Sequence, residues 1–102
     1  MSAHAEEPHV RLTARVHGWV QGVGFRWSTS SVAQSLALVG VAENLADGDV
    51  LVVAEGPRDR CQKVLDWQQG TGTRTVRRPG RVEQVTAAWG PATGEFRRFT
   101  TR

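Results

Sequence analysis

The first regular pattern along the chain is an alternation of apolar and polar residues that starts at Val10. Every second residue from Val10 to Val16 is apolar, and the residues between them are polar or charged. A strand places successive side chains on opposite faces, so a period of two is typical of a strand with one buried face. The pattern predicts a half-buried strand within residues 10–18.

Two longer segments have apolar residues at helical spacing. The first is residues 25–38, and the residues predicted on its buried face are Phe25, Thr29, Val32, Ala33 and Leu36. The second is residues 56–70, in which Pro57 lies near the first turn and Gly70 closes the helix. Both segments are predicted to be amphipathic helices.

A β-hairpin is predicted between the two helices. Residues 41–44 and 49–56 read as short strands, and the Asp-Gly pair at 47–48 between them is a strong hairpin signal. Gly40 is predicted to mark the turn before the hairpin.

Two C-terminal segments complete the predicted sheet. Residues 81–89 alternate with a slip after Val82, and residues 94–102, with Phe96 and Phe99, give a last short strand. The element order is β-α-β-β-α-β with one extra terminal strand. This order predicts an α+β fold, the ferredoxin-like sandwich, with an antiparallel sheet and both helices on one face.

The composition is that of one small globular domain. The 102 residues are 39% hydrophobic and 23% charged, and 13 basic against 10 acidic residues give a net charge of +3. We expect residues 1–8, which are small, polar and acidic, to be a disordered tail and residues 9–102 to form the domain. The chain shows no signal segment and no run of membrane-spanning length, so we expect no membrane partner and a cytoplasmic location.

The single cysteine and the four tryptophans are assigned to packing. Cys61 excludes an intramolecular disulfide and a multi-cysteine metal site, and we expect it to be a small core residue. Trp27, Trp67 and Trp89 are expected to pack in or over the core. Trp19 is the one tryptophan that we place near a ligand, although packing is favoured for it as well.

The segment VQGVGFR, residues 20–26, indicates an anion site. Glycines such as Gly22 and Gly24 allow a positive φ and close approach of the backbone to a ligand, and successive amides can surround an anion. A helix that starts near Phe25 would direct its free N–H groups to the same point, and Arg26 would add donors suited to phosphate oxygens. A simple turn followed by a solvated surface arginine fits this stretch equally well.

Other known site patterns fit the sequence poorly. The Walker phosphate loop needs a GK[ST] ending, and the dinucleotide fingerprint needs a glycine at position 27 and a parallel sheet. His17 ends a strand without a nearby Cys or Asp partner in the sequence, and no metal site is expected. Asn44, at a strand end before the hairpin, is either an ordinary turn residue or an amide that holds a water molecule.

Together, the glycine loop, the helix after it and an Asn ahead of Asp-Gly resemble the acylphosphatase family. These are small ferredoxin-like enzymes that hydrolyse the carboxyl–phosphate bond of acyl phosphates. The resemblance covers residues 9–102 and is most specific at VQGVGFR, 20–26. GVAENLADG at 40–48 matches the second motif of the family less closely, and AEGP at 54–57 and RVEQV at 81–85 fit its later segments.

The resemblance implies a role for each residue of the two motifs. Arg26 would bind the phosphoryl group, and Asn44 would position the attacking water. The backbone amides that would complete the phosphate cradle are those of Val20, Gln21, Gly22, Val23, Gly24 and Phe25. The substrate's own phosphate takes the proton of water in this family, so neither a general base nor a metal or other cofactor is implied. The partners implied are a small acyl phosphate and inorganic phosphate as product and inhibitor, and a monomer is expected.

The chain departs from the family pattern at positions close to these motifs. Val41 and Ala42 replace the usual Trp and Val, Glu43 replaces a basic residue before Asn44, and Ala37 stands where a glycine is common. A carboxylate near the site would repel a dianion. Alternation along the strand places Glu43 opposite to Asn44, so only a mild effect is expected.

Two alternatives belong to other classes of function. The connector 70–80 is longer and richer in arginine than is usual in the family, and a basic run beside two tryptophans could serve RNA binding by a non-catalytic ferredoxin-like module. The residues concerned are Arg74, Arg77, Arg78, Arg81, Trp67 and Trp89. A solvated loop is favoured because the exposed aromatic pair of an RNA-binding strand is missing, so nucleic acid is not expected. The second alternative is a chain that keeps the fold and the phosphate cradle but acts as a carbamoyl-phosphate-handling or regulatory partner. We expect no further domain, which favours a free-standing enzyme.

Overall fold

The computed structural model describes residues 8–72 and 76–102 of the chain. Its elements are β1 His9–Trp19, α1 Phe25–Ser35, β2 Val39–Asn44, β3 Val50–Pro57, α2 Arg58–Gln69, β4 Arg81–Pro91 and β5 Phe99–Thr101. Residues 1–7 of the predicted tail and residues 73–75 of the predicted connector, which include Arg74, lie outside the described part.

The five strands form one sheet in the order β4-β1-β3-β2-β5. Neighbouring strands are antiparallel except β2 and β5, which run parallel. α1 packs against β2 and β5, α2 packs against β1, β3 and β4, and the two helices contact each other. The predicted ferredoxin-like sandwich is confirmed, and the extra C-terminal strand makes the parallel pair.

The core lies between the helices and the apolar face of β1 and β3. Leu12, Ala14 and Val16 are fully buried, as the alternation predicted. Phe25 stacks on Trp67 with ring centroids 5.6 Å apart, which joins the start of α1 to the end of α2. Full burial of a large apolar side chain contributes about 1.5–3 kcal/mol, so this face fixes both helices on the sheet.

Cys61 is confirmed as a core residue. It is fully buried on α2, and burial raises the pKa of its thiol to about 11. Desolvation disfavours the thiolate, so Cys61 is held as the unreactive thiol.

α1 ends three residues earlier than predicted, at Ser35 instead of residue 38. Ala37 follows with φ of 58°, and the N–H groups of Ala37 and Leu38 donate to the carbonyls of Gln34 and Ala33. These two bonds form a Schellman end, which normally carries glycine at the left-handed position. An L-residue there costs about 1–2 kcal/mol, so the departure at Ala37 has an energetic cost but leaves the helix end intact.

Gly40 lies inside β2 and not in a turn, contrary to the prediction. It pairs with Ala54 of β3, and a Cβ added to Gly40 would lie 1.8 Å from the carbonyl oxygen of Val53. The glycine therefore permits close approach of two strands, which a single sequence does not distinguish from a turn.

The slip in the alternation of β4 is a β-bulge. His17 pairs with Gln84 and Gly18 pairs with Val82, so Glu83 is the extra residue on β4. The bulge keeps both Val82 and Val85 packed against the core in spite of their odd spacing.

The last strand begins at Phe99 and not at residue 94, so it is shorter than predicted. Residues 92–98 cross from β4 at one edge of the sheet to β5 at the other. Phe96 lies in this crossing segment, where the guanidinium carbon of Arg11 is 5.4 Å from its ring centroid.

A buried carboxylate holds the crossing segment on the sheet. Glu55 accepts hydrogen bonds from Arg11 Nε at 2.7 Å and from the N–H groups of Thr93 and Gly94 at 2.9 and 3.1 Å. Burial by itself raises the pKa of Glu55, but these hydrogen bonds outweigh it and the pKa is lowered. The charged carboxylate thereby sets the path that brings β5 alongside β2.

Candidate active site

The carboxyl ends of three strands meet at one end of the sheet. β1 and β2 both run antiparallel to β3, and β5 runs parallel to β2, so their final residues lie together. A cavity of about 210 Å³ opens at this end, lined by Val20, Gly22, Gly24, Phe25, Arg26, Trp27, Asn44 and Thr101. Both predicted motifs therefore contribute to one cavity.

The loop between β1 and α1 is anchored at its ends and open at its tip. Val20 and Phe25 are buried in the core, while Gly22 and Gly24 are exposed. Gly22 and Gly24 have φ of 75° and 85°, and a Cβ added to either would meet no heavy atom within 4 Å. The glycines are thus required by backbone conformation, and the space beside them is free for a ligand.

The start of α1 is suited to an anion. Gly24 is the N-cap and has no side chain to satisfy the first amides, and the first turn has no acidic residue. The unpaired N–H groups of a helix start carry a partial positive charge. Since Arg26 lies in the same turn and lines the same cavity, positive charge accumulates at one point.

Arg26 is held from the other end of the chain. Its Nη1 donates to the backbone oxygen of Arg102, whose N–H in turn donates to the carbonyl of Ala42 at 2.8 Å. The guanidinium is therefore fixed relative to β2 by the residue that follows β5. The sequence gives no signal for this contact, because the two arginines are 76 positions apart.

Asn44 is the last residue of β2 and lines the cavity with Arg26. Its Oδ1 is buried and has no hydrogen-bond partner in the described part of the chain. Buried polar atoms are nearly always hydrogen-bonded, so an unpartnered oxygen at a cavity wall is a place where a donor binds. Water is a donor of the right size.

Glu43, the departure beside Asn44, forms an ion pair outside the cavity lining. Its Oε1 lies 3.6 Å from Nη1 of Arg102. The neighbouring cation offsets part of the carboxylate field at the site. A mild effect of Glu43 on substrate binding stays a prediction.

The turn between β2 and β3 is anchored by side-chain contacts that the sequence did not predict. Gln21 Nε2 donates to the carbonyls of Leu45 and Asp49 at 2.7 and 2.9 Å. The Asp49 carboxylate accepts from Arg15 Nε and contacts His17 Nδ1, both at 2.7 Å. Arg15 also reaches Asp47, at the tip of the turn.

These ion pairs shift the pKa values of the groups involved. Hydrogen bonds from Arg15 and then His17 lower the pKa of Asp49, and the hydrogen bond to Asp49 raises the pKa of His17. His17 has no Asp nearby in the sequence, and only the fold brings it to Asp49, which is 32 positions away. The available signal was the position of Arg15 and His17 on one strand face opposite the Asp-Gly turn.

The tryptophans differ from the predictions in two cases. Trp67 is buried and Trp89 is half-buried beneath the guanidinium of Arg58 at 4.1 Å, as expected of packing residues. Trp27 is 73% exposed and lines the cavity, so its assignment to the core was wrong. Trp19 is 67% exposed and does not line the cavity, so the preference for packing was wrong there as well. The position of Trp27 directly after Arg26, in the first turn of α1, was the signal in the sequence that places it at the cavity.

The described residues of the basic run do not form a surface on which bases could stack. Arg78 donates to the carbonyl of Gln68 at 2.7 Å, and the indole N–H of Trp67 donates to the carbonyl of Val76 at 2.8 Å. Base stacking needs exposed aromatic faces, and Trp67 is buried. Arg74 lies outside the described residues, and the RNA interpretation gains no support from the remainder.

The described residues offer neither a metal cluster nor a membrane-spanning helix. Residues 8–72 and 76–102 contain no group of three or more His, Cys, Asp or Glu side chains placed to share a metal ion. Neither helix of the described part has the length and apolar character needed to cross a membrane.

The chain is similar to several proteins named acylphosphatase. The acylphosphatase family model matches residues 12–101. An acylphosphatase from Mycobacterium tuberculosis is 56% identical over 95 residues, which are 93% of this chain and 97% of that protein. The crystal structure of acylphosphatase from Bacillus subtilis has a TM-score of 0.79 and 27% identity, covering 91% of this chain and 98% of that one. The structure of an acylphosphatase from Coxiella burnetii has a TM-score of 0.77 and 29% identity, covering 99% and 100%.

Proposed function

The chain belongs to the acylphosphatase family, hydrolases that act on acyl phosphates, and we propose that Arg26, Asn44 and the amides of residues 20–25 carry out this hydrolysis without a metal ion. The loop amides and the Arg26 guanidinium hold the phosphoryl group. Asn44 holds the attacking water through its side-chain oxygen. One observation carries the assignment: the unpartnered, buried Oδ1 of Asn44 lines the same cavity as Arg26.

The proposed chemistry needs positioning and charge stabilisation more than proton transfer. The oxygen of water attacks phosphorus, and the P–O bond to the acyl group breaks with its electron pair on the leaving oxygen. The leaving carboxylate is weakly basic and needs no proton, and the proton lost by water passes to a phosphate oxygen. The products are a carboxylate and dihydrogen phosphate. Fixed donors around the transferring group are the main source of rate acceleration in such a reaction.

Hydrolysis of benzoyl phosphate by the purified chain tests the proposal. We expect release of inorganic phosphate at the same rate with and without EDTA, and competitive inhibition by added inorganic phosphate. A rate that falls with EDTA and returns with a divalent cation would contradict the metal-free assignment, and a rate equal to the uncatalysed one would refute hydrolysis. The monomeric state and the cytoplasmic location stay predictions. Sizing chromatography of the purified chain tests the monomeric state.

We further propose that the indole of Trp27 contacts the acyl group of the substrate. With the phosphoryl group beside Arg26, the acyl group extends past the neighbouring cavity wall, where Trp27 is 73% exposed. Contact between two aromatic groups is worth about 0.5–1.5 kcal/mol, so Trp27→Ala is expected to lower kcat/KM for benzoyl phosphate by about two- to tenfold. Acetyl phosphate, with a single methyl group, is expected to change by less than about twofold.

Trp19→Ala is the matched control, because Trp19 is similarly exposed but is not part of the cavity lining. It is expected to leave kcat/KM unchanged for both substrates. An equal loss of kcat/KM for benzoyl and acetyl phosphate in Trp27→Ala would show that Trp27 does not contact the acyl group.

A further inference from the structure

The two halves of the site come from separate parts of the sheet. The loop at residues 20–25 follows β1, whereas Asn44 ends β2, and β3 lies between these two strands. A water held by Asn44 and a phosphoryl group held by the loop must keep a fixed distance for in-line attack. Some contact has to set the position of the loop relative to the end of β2.

Gln21 makes that contact. Its side-chain amide donates one hydrogen bond to the carbonyl of Leu45, the residue directly after Asn44, and one to the carbonyl of Asp49. Leu45 N–H also donates to the Asp49 carbonyl at 2.8 Å, and this bond closes the turn. Gln21 therefore binds the two residues at which the turn begins and ends. Among the described residues, these two bonds are the hydrogen bonds that join the loop at 20–25 to the turn at 45–49.

The turn itself is held to the sheet by other groups. Arg15 and His17 bind the carboxylate of Asp49, whose side chain is only 10% exposed. These contacts come from β1 and involve no residue of the loop. The turn is thus fixed to β1, and the side-chain amide of Gln21 fixes the position of the loop relative to the turn.

We propose that Gln21 is a positioning residue: its side chain couples the phosphate loop to Asn44, so that phosphoryl group and water are aligned. This inference rests on the proposed roles of Arg26 and Asn44. The backbone amide of Gln21 belongs to the cradle in any variant, so replacing the side chain separates the coupling from phosphate binding. A residue that acts on alignment affects kcat more than the affinity for phosphate.

Gln21→Leu tests the coupling because leucine has a similar size and no donor. We expect kcat for benzoyl phosphate to fall about tenfold or more, since small displacements of reacting groups can cost up to about a hundredfold. The inhibition constant of inorganic phosphate is expected to change by less than about twofold. Gln21→Asn, whose amide is one methylene too short to reach both carbonyls, is expected to behave like Gln21→Leu and serves as a second variant if the leucine variant folds poorly.

A double-mutant cycle with Asn44→Ala gives the decisive readout. If Gln21 acts through Asn44, Gln21→Leu has no further effect on kcat once Asn44 is alanine. His17→Ala is the matched control, because it removes a contact to the same turn but leaves both Gln21 bonds, and it is expected to keep kcat within about twofold of wild type.

Three outcomes would overturn the inference if the wild-type chain is active. The first is an unchanged kcat in Gln21→Leu, and the second is a double variant whose loss of kcat is the product of the two single losses. The third is a change in the inhibition constant of inorganic phosphate as large as the change in kcat. Absence of hydrolysis in wild type would instead refute the proposed function. The two failures are therefore distinguishable.

Discussion

Replacing Arg26 with alanine is expected to lower kcat/KM for benzoyl phosphate by about 10²–10³-fold, the loss seen when one preorganised donor at a developing charge is removed. The guanidinium is the only charged side chain among the residues that line the cavity in the described part of the chain. It is also held in place by the backbone oxygen of Arg102. Both features predict loss of affinity for phosphate together with loss of kcat, so inorganic phosphate should inhibit the variant more weakly.

Two further variants distinguish the role of the guanidinium donors from the role of the charge and from an effect on folding. Arg26→Lys keeps the charge but not the planar fork of donors, and is expected to recover only part of the activity. Arg60→Ala is the matched control, because Arg60 also donates from Nη1 to a backbone carbonyl, that of Leu36 at 3.3 Å, but lies on α2 away from the cavity. Equal activity in wild type and Arg26→Ala would remove Arg26 from the mechanism.

Asn44→Ala is expected to lower activity strongly and to leave stability nearly unchanged. With no group to hold the attacking water, kcat should fall about a hundredfold while KM stays within a few-fold. The free energy of unfolding should change little, because the side-chain oxygen of Asn44 makes no hydrogen bond to another described residue. Steady-state kinetics and thermal melting on the same preparation measure both quantities.

Gln68→Leu provides the comparison for Asn44→Ala. The side-chain amide of Gln68 is also buried without partners in the described chain, but it lies on α2 and is not part of the cavity lining. We expect its variant to gain stability and keep full activity. If Asn44→Ala loses stability and keeps kcat, Asn44 is an ordinary structural residue at the end of β2.

The parts of the site that the sequence predicted are those that local conformation dictates. The glycines of the loop are required by positive φ, and α1 begins at Phe25 with Arg26 in its first turn, as the pattern indicated. The Asp-Gly pair forms the turn after Asn44. Each of these features depends on a few neighbouring residues, so their identities carry the signal.

The contacts that the sequence missed join residues distant in the chain. His17 and Asp49 are 32 positions apart, and Gln21 and Leu45 are 24 apart. Trp27 was assigned to the core because a tryptophan on an amphipathic helix usually packs there. Whether it does so depends on which side of α1 faces β2 and β5, and one helix alone does not contain that information.

By itself, the sequence determined the order of the elements, the buried face of β1 and the glycine loop, because periodicity and backbone conformation are local properties. The roles proposed for Arg26 and Asn44 rest on the resemblance to the acylphosphatase family. The tertiary structure decided how these parts meet. The parallel pairing of β5 with β2 brings Arg102 to Arg26, and the order β1-β3-β2 brings the Gln21 side chain to the turn after Asn44. Such contacts form only when strands distant in sequence pair, so their geometry is a property of the folded sheet.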